Sequence, residues 1–169
     1  MNKITLVVLS AGNSTRFNSN TKKQWIRIGD DPLWLYVTNN LSKIYQFSKI
    51  IVVGNESELN YMANFSDDYV LVAGGKERTD SMNNALNHVD SEYVMITDVA
   101  RSCVPKDVIE NIIAKKDEAD CIVPFLRVSD TVVFQNETID RDNVKLIQTP
   151  QLSKTSVIKK ALLQDINFT

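Results

Sequence analysis

With 169 residues, 43% of them apolar and 24% charged, the chain has the makeup of a globular protein and room for one ordinary domain with its core. A formal net charge of −2 gives no field that would gather nucleic acid or an anionic membrane, so neither is expected as a partner and any anion must be held locally. No apolar run approaches the ~18 residues that span a bilayer, and the first residues run straight into a strand without a secretory pattern, which makes the cytoplasm the expected address.

KITLVVLS (3–10) is apolar without alternation, the pattern of a strand buried on both faces. LSAGNSTRFNSNTKKQ (9–24) leads out of it and holds one glycine, small hydroxyl and amide side chains, an arginine and two lysines. Gly12 lets backbone approach a ligand closely, and N–H groups of such a turn can cradle a phosphate. Arg16 offers a planar donor fork and Lys23 a mobile point charge, both suited to phosphate oxygens. The stretch is neither GxGxxG nor a Walker A, since GK[ST] is missing. The plainer alternative is a solvated basic loop; its place directly after a buried strand favours function.

Asp31 is expected to cap a helix with Pro32 at its first position and Leu33, Tyr36, Val37, Leu41 and Ile44 on one face. A second continuous apolar run, KIIVVG (49–54), is followed by a helical stretch, ESELNYMANF (56–65), and a third strand, YVLVAG (69–74). Gly74 and Gly75 then leave room above that strand for a flat base or sugar. Ser81 can hydrogen-bond such a group from the helix ERTDSMNNALNHV (77–89), which presents Met82, Ala85, Leu86 and Val89. Taken alone, Gly-Gly before a helix is common turn chemistry. His88, near the end of that helix, fits a structural role against the helix dipole.

EYVMIT (92–97) reads as a fourth buried strand and brings Asp98 to its carboxyl edge, where a hard cation such as Mg²⁺ could bridge it to phosphates. Arg101 could contact a ligand or hold Asp98 in place; the alternative for Asp98 is a helix cap with a structural salt bridge. Pro105 starts a helix carrying Val108, Ile109, Ile112 and Ile113, and DCIVPF (120–125) reads as a fifth buried strand. Residues 127–148 break the rhythm with two β-favouring segments around a polar centre. They are expected to form a projecting hairpin arm, too polar on its faces for the main sheet. A last helix is expected over roughly 154–164. Cys103 and Cys121 lack metal-ligand spacing, and two reduced, partly buried thiols fit them better than a disulfide.

This β-α alternation argues for an α/β fold: an open, mainly parallel, doubly wound sheet with the arm projecting from it. Ligands of such sheets sit beyond the carboxyl ends of the strands. There a glycine turn with cations, an acidic strand end and a second glycine turn make a coherent nucleoside-triphosphate site.

In order and spacing, SAGNSTRF followed by KKQ, then GGKERTDS, DVAR and TPQ (Thr149, Pro150, Gln151) resemble the 2-C-methyl-D-erythritol 4-phosphate cytidylyltransferases across the whole chain. The resemblance implies a Rossmann-like nucleotidyltransferase fold that makes 4-diphosphocytidyl-2-C-methyl-D-erythritol from CTP with Mg²⁺. It makes Arg16, Lys23 and Arg141 the catalytic cations. Ala11, Gly12, Gly75 and Ser81 would line the cytidine pocket, Asp98 would serve the metal, and Thr131 and Arg141 would grip methylerythritol phosphate. In the family that grip crosses to the neighbouring subunit, so a homodimer joined through the arms is implied.

Where the family usually has His-Asp-Ala-Ala-Arg-Pro, this chain has Thr97 to Ser102, with Asp98 and Arg101 retained. Ser10 replaces a usual alanine and Lys22 a usual proline. These variants resemble those of bifunctional enzymes fused to 2-C-methyl-D-erythritol 2,4-cyclodiphosphate synthase. Family members continue past DINFT through a strand and helix, so a single nucleotidyltransferase domain over 1–169 is expected to be the amino-terminal part of a longer enzyme with that fused partner. A cytidylyltransferase for ribitol 5-phosphate, or a nucleotide-binding remnant without catalysis, are the rival readings.

Overall fold

The computed structural model describes residues 3–14 and 21–163. The chain opens with β1 (Ile4–Leu9), a small ladder of β2 (Arg27–Ile28) with β3 (Asp31–Pro32), and α1 (Leu33–Ile44). β4 (Lys49–Gly54), α2 (Leu59–Met62), β5 (Val70–Ala73), α3 (Arg78–Leu86), β6 (Tyr93–Asp98) and α4 (Lys106–Ala114) follow. After β7 (Cys121–Ile122) come the arm strands β8 (Phe125–Arg127), β9 (Val132–Phe134), β10 (Glu137–Ile139) and β11 (Lys145–Ile147), then β12 (Gln151–Lys154) and α5 (Thr155–Leu162).

The main sheet has the order β5-β4-β1-β6-β12-β7. β5, β4, β1 and β6 are parallel, and β12 runs antiparallel between β6 and β7. β1 is the central strand, and all six of its residues are buried, as its unbroken apolar run requires. Alternation splits the core into two layers. Ile4, Leu6, Val8, Tyr93 and Met95 face α1 and α4, while Val7, Leu9, Val94 and Ile96 face α3. Ile158 and Leu162 of α5 pack on the second layer. The doubly wound α/β expectation therefore holds.

Local departures have local causes. α1 starts at Leu33 with Pro32 as its cap residue, because Asp31 and Pro32 are already paired with Arg27 and Ile28. The stretch 56–65 shortens to a 3-10 turn, Glu56–Glu58, and a single helical turn. α3 buries Met82, Ala85 and Leu86, with Val89 just beyond, as their spacing implies, but it ends before His88, which is exposed. α4 buries Ile109 and Ile112, with Val108 and Ile113 packed alongside.

The fifth strand is not a buried one. Only Cys121–Ile122 joins the sheet, at its edge, and past Pro124 residue Phe125 belongs to the arm. Both cysteines are free, as expected, but exposed rather than partly buried. The arm starts two residues earlier than the sequence suggests and consists of two successive ladders, β8 with β11 and β9 with β10. Its tip turns at Gln135 and Asn136, both with positive φ, the geometry of a tight hairpin. Its faces carry the expected exposed polar residues and, among them, apolar ones: Leu126, Val133, Phe134 and Ile147 are all more than half exposed. No helix among the described residues is long and apolar enough to cross a membrane.

Candidate functional site

The carboxyl edge of the parallel strands gathers the three motifs. Leu9 pairs with Asp98 across β1 and β6, and the Val99 N–H donates to the Leu9 carbonyl at 3.0 Å. On the other side of β1 the Ser10 N–H donates to Val53 at 2.8 Å, and the Gly74 N–H donates to Gly54 at 2.8 Å. The chain thus leaves β5, β1 and β6 at the same edge of the sheet, with β4 between β5 and β1, and Ala11, Gly74 and Asp98 emerge there.

The two glycines are required by close packing. A Cβ on Gly74 would lie 2.4 Å from that of Ala11, and one on Gly75 would lie 2.1 Å from the Asp80 Cβ. A side chain at either position would collide with the opening loop or with the first turn of α3. The Gly75 N–H donates to Ser81 Oγ at 3.0 Å, and Glu77 and Asp80 form a reciprocal capping box. Ser81, buried, is therefore first a brace for this turn. Of the glycines in these two turns, only Gly12 has nothing among the described residues within 4 Å of a built Cβ.

Asp98 keeps 37% of its side chain exposed and uses both oxygens. Arg78 Nε donates to Oδ1 at 3.3 Å, and Thr149 Oγ1 donates to Oδ2 at 3.2 Å. Arg101 does not hold it. The Arg101 side chain instead lines a cleft of about 290 Å³ on the α1–α4 side, against Val37, Leu41, Ile44 and Val104. That cleft includes none of Gly75, Ser81 and Asp98. Sequence reading missed Arg78 as the partner because it lies twenty positions away in chain order, while Arg101 lies three away.

Lys23 opens the 3-10 turn Lys23–Trp25, and its N–H donates to Ser14 Oγ at 2.9 Å. The neighbouring Gln24 is buried and donates to the Gly12 carbonyl at 3.3 Å. Arg16, named as a triphosphate cation, lies outside the described residues. Thr131 and Arg141 both lie on the arm, the Arg141 guanidinium donating to the Ser129 carbonyl. Both are exposed, and among the described residues neither shares a hydrogen bond or ion pair with Lys23, Ser81 or Asp98. The single chain brings Ala11, Gly75, Ser81 and Asp98 together and leaves the arm residues apart.

The family described as IspD: 2-C-methyl-D-erythritol 4-phosphate cytidylyltransferase matches residues 4–168. The chain belongs to that family. Among its relatives, the bifunctional enzyme IspD/IspF of Aliarcobacter butzleri is 61% identical over 98% of this chain and 44% of its own length. The structure of the bifunctional IspDF from Campylobacter jejuni superposes with a TM-score of 0.94 at 50% identity, covering 99% of this chain and 45% of that one. The Francisella tularensis 2-C-methyl-D-erythritol 4-phosphate cytidylyltransferase gives 0.76 at 27% identity, covering 96% and 77%. The chain thus spans less than half the length of the bifunctional relatives, and for this cytidylyltransferase-family member the β1–β5–β6 edge is the candidate active site.

Proposed function

We propose that the protein transfers the cytidylyl group of CTP to 2-C-methyl-D-erythritol 4-phosphate and releases pyrophosphate. The observation that carries this reading is the single edge at which the Gly12 turn, the Gly74–Gly75 turn and Asp98 emerge, in a chain of this family. A phosphate monoester is already anionic and can attack the α-phosphorus without a general base. The remaining work is to hold two anions in line and to neutralise the charge growing on pyrophosphate. Lys23 and Arg16 are suited to the triphosphate, and Thr131 and Arg141 to the polyol phosphate.

Mg²⁺ fits the chemistry of this edge in a limited way. No group of three or more His, Cys, Asp or Glu among the described residues is arranged to hold a metal. Asp98 would be one carboxylate ligand, with triphosphate oxygens and water as the rest, which is how Mg²⁺ is commonly bound. When present, the ion would spread the negative charge of the departing group.

The exposed apolar side chains of the arm support a homodimer in which each arm reaches the other subunit, which would bring Thr131 and Arg141 to a site that one chain leaves without them. The names of the bifunctional relatives support a fused cyclodiphosphate synthase as partner domain. Two free, exposed thiols suit the reducing cytoplasm. Incubating the protein with CTP, Mg²⁺ and either 2-C-methyl-D-erythritol 4-phosphate or ribitol 5-phosphate tests the reading. Pyrophosphate release is expected with the first only; release with the second alone, or with neither, refutes it.

A further inference from the structure

Glu58 ends the 3-10 turn after β4, more than thirty positions from the opening loop, yet its carboxylate reaches that loop. Its side chain is only 16% exposed. Lys22 Nζ donates to Oε1 at 2.6 Å, and Gln24 Nε2 donates to Oε2 at 3.3 Å. That amide also donates to the Gly12 carbonyl, so one side chain ties Glu58 to the glycine turn. Trp25 closes the arrangement by packing on Tyr61 and Phe65, with ring centroids 5.1 and 6.0 Å away. Burial pushes the Glu58 carboxyl up, but hydrogen bonds from Lys22, Trp25 and Gln24 outweigh it and hold the group below its ordinary value.

The residues on both sides of Lys23 are thus fastened to one carboxylate, while the Lys23 ammonium has no partner among the described residues. A short charge-assisted bond of this kind is among the stronger polar contacts, and a carboxylate has acceptor sites for several donors. Engaging Lys22 and Gln24 fixes the backbone on both sides of Lys23 and so sets where its ammonium can reach.

We propose that Glu58 is a positioning residue for nucleotide binding: it commits Lys22 to the protein and fixes Gln24, so that Lys23 stands free towards the triphosphate beside a set Gly12 turn. This rests on Lys23 acting on CTP, as proposed above. The plainer role is a brace that only stabilises the α2 corner.

The test is a double-mutant cycle on CTP affinity by calorimetry, with melting temperatures, for Glu58→Ala, Lys23→Ala and the pair. Glu58→Ala is expected to weaken CTP binding about tenfold, the scale of losing an oriented charged contact. The pair is expected to be no weaker than Lys23→Ala alone. Glu58→Gln, which keeps an acceptor oxygen and the side-chain shape, is expected to recover part of the loss. If Glu58→Ala lowers the melting temperature but leaves CTP affinity unchanged, or if the two losses multiply in the pair, the proposal is overturned. If Lys23→Ala binds CTP as the parent does, the reading of Lys23 itself falls, and this inference with it.

Discussion

Asp98 illustrates what a single residue carries here. Its carboxylate ends β6, takes donors from α3 and from the foot of the arm, and still faces solvent. The residue and its edge position were legible from a strand run, Tyr93 to Thr97, that ends on an acid. Its partners were not, because Arg78 and Thr149 come from elements that only the tertiary fold brings to β6. Lys23 and Arg16 were legible as cations after a buried strand, yet nothing in their spacing pointed to Glu58, whose role depends on how the β4–α2 corner folds back. At this scale the expectation is that Lys23→Ala or Arg16→Ala lowers turnover by more than ~100-fold, as losing a preorganised charge contact does. A steady-state loss of only a few-fold would contradict the assigned role.

At the scale of elements, the turn between β5 and α3 is a packing device. Gly74 lets Ala11 come close, and the contact clamps the opening loop to the third strand. Gly74→Ala is therefore expected to destabilise the fold by about 1–3 kcal/mol, the usual cost of overpacking. Gly12→Ala, whose new methyl meets nothing within 4 Å among the described residues, should stay within about 0.5 kcal/mol. Urea denaturation of the two variants checks the contrast, and equal midpoints would refute it. The helices and central strands were readable because their apolar spacing is regular, and Met82, Ala85, Leu86 and Val89 are all buried. β12 was not, since QLSK is short and carries a serine and a lysine. It becomes a strand because it completes the open side of β6, with Leu152 as its buried anchor.

For the whole molecule, the unbalanced feature is the arm. Val133 and Phe134 are 61% and 62% exposed, with Leu126 and Ile147 also outward, more apolar surface than an isolated ribbon keeps without a partner. The protein is expected to sediment as a dimer, and Phe134→Ser with Ile147→Ser is expected to shift it to monomer while leaving the main sheet folded. A parent protein that sediments only as monomer would refute this.

The arm is also rooted close to the candidate site. One leg rises from β7, the other returns into β12, and these two strands are neighbours. Thr149 stands where the returning leg enters the sheet, one hydrogen bond from Asp98. A partner that shifted the returning leg of the ribbon is therefore expected to alter the bond between Thr149 and that carboxylate.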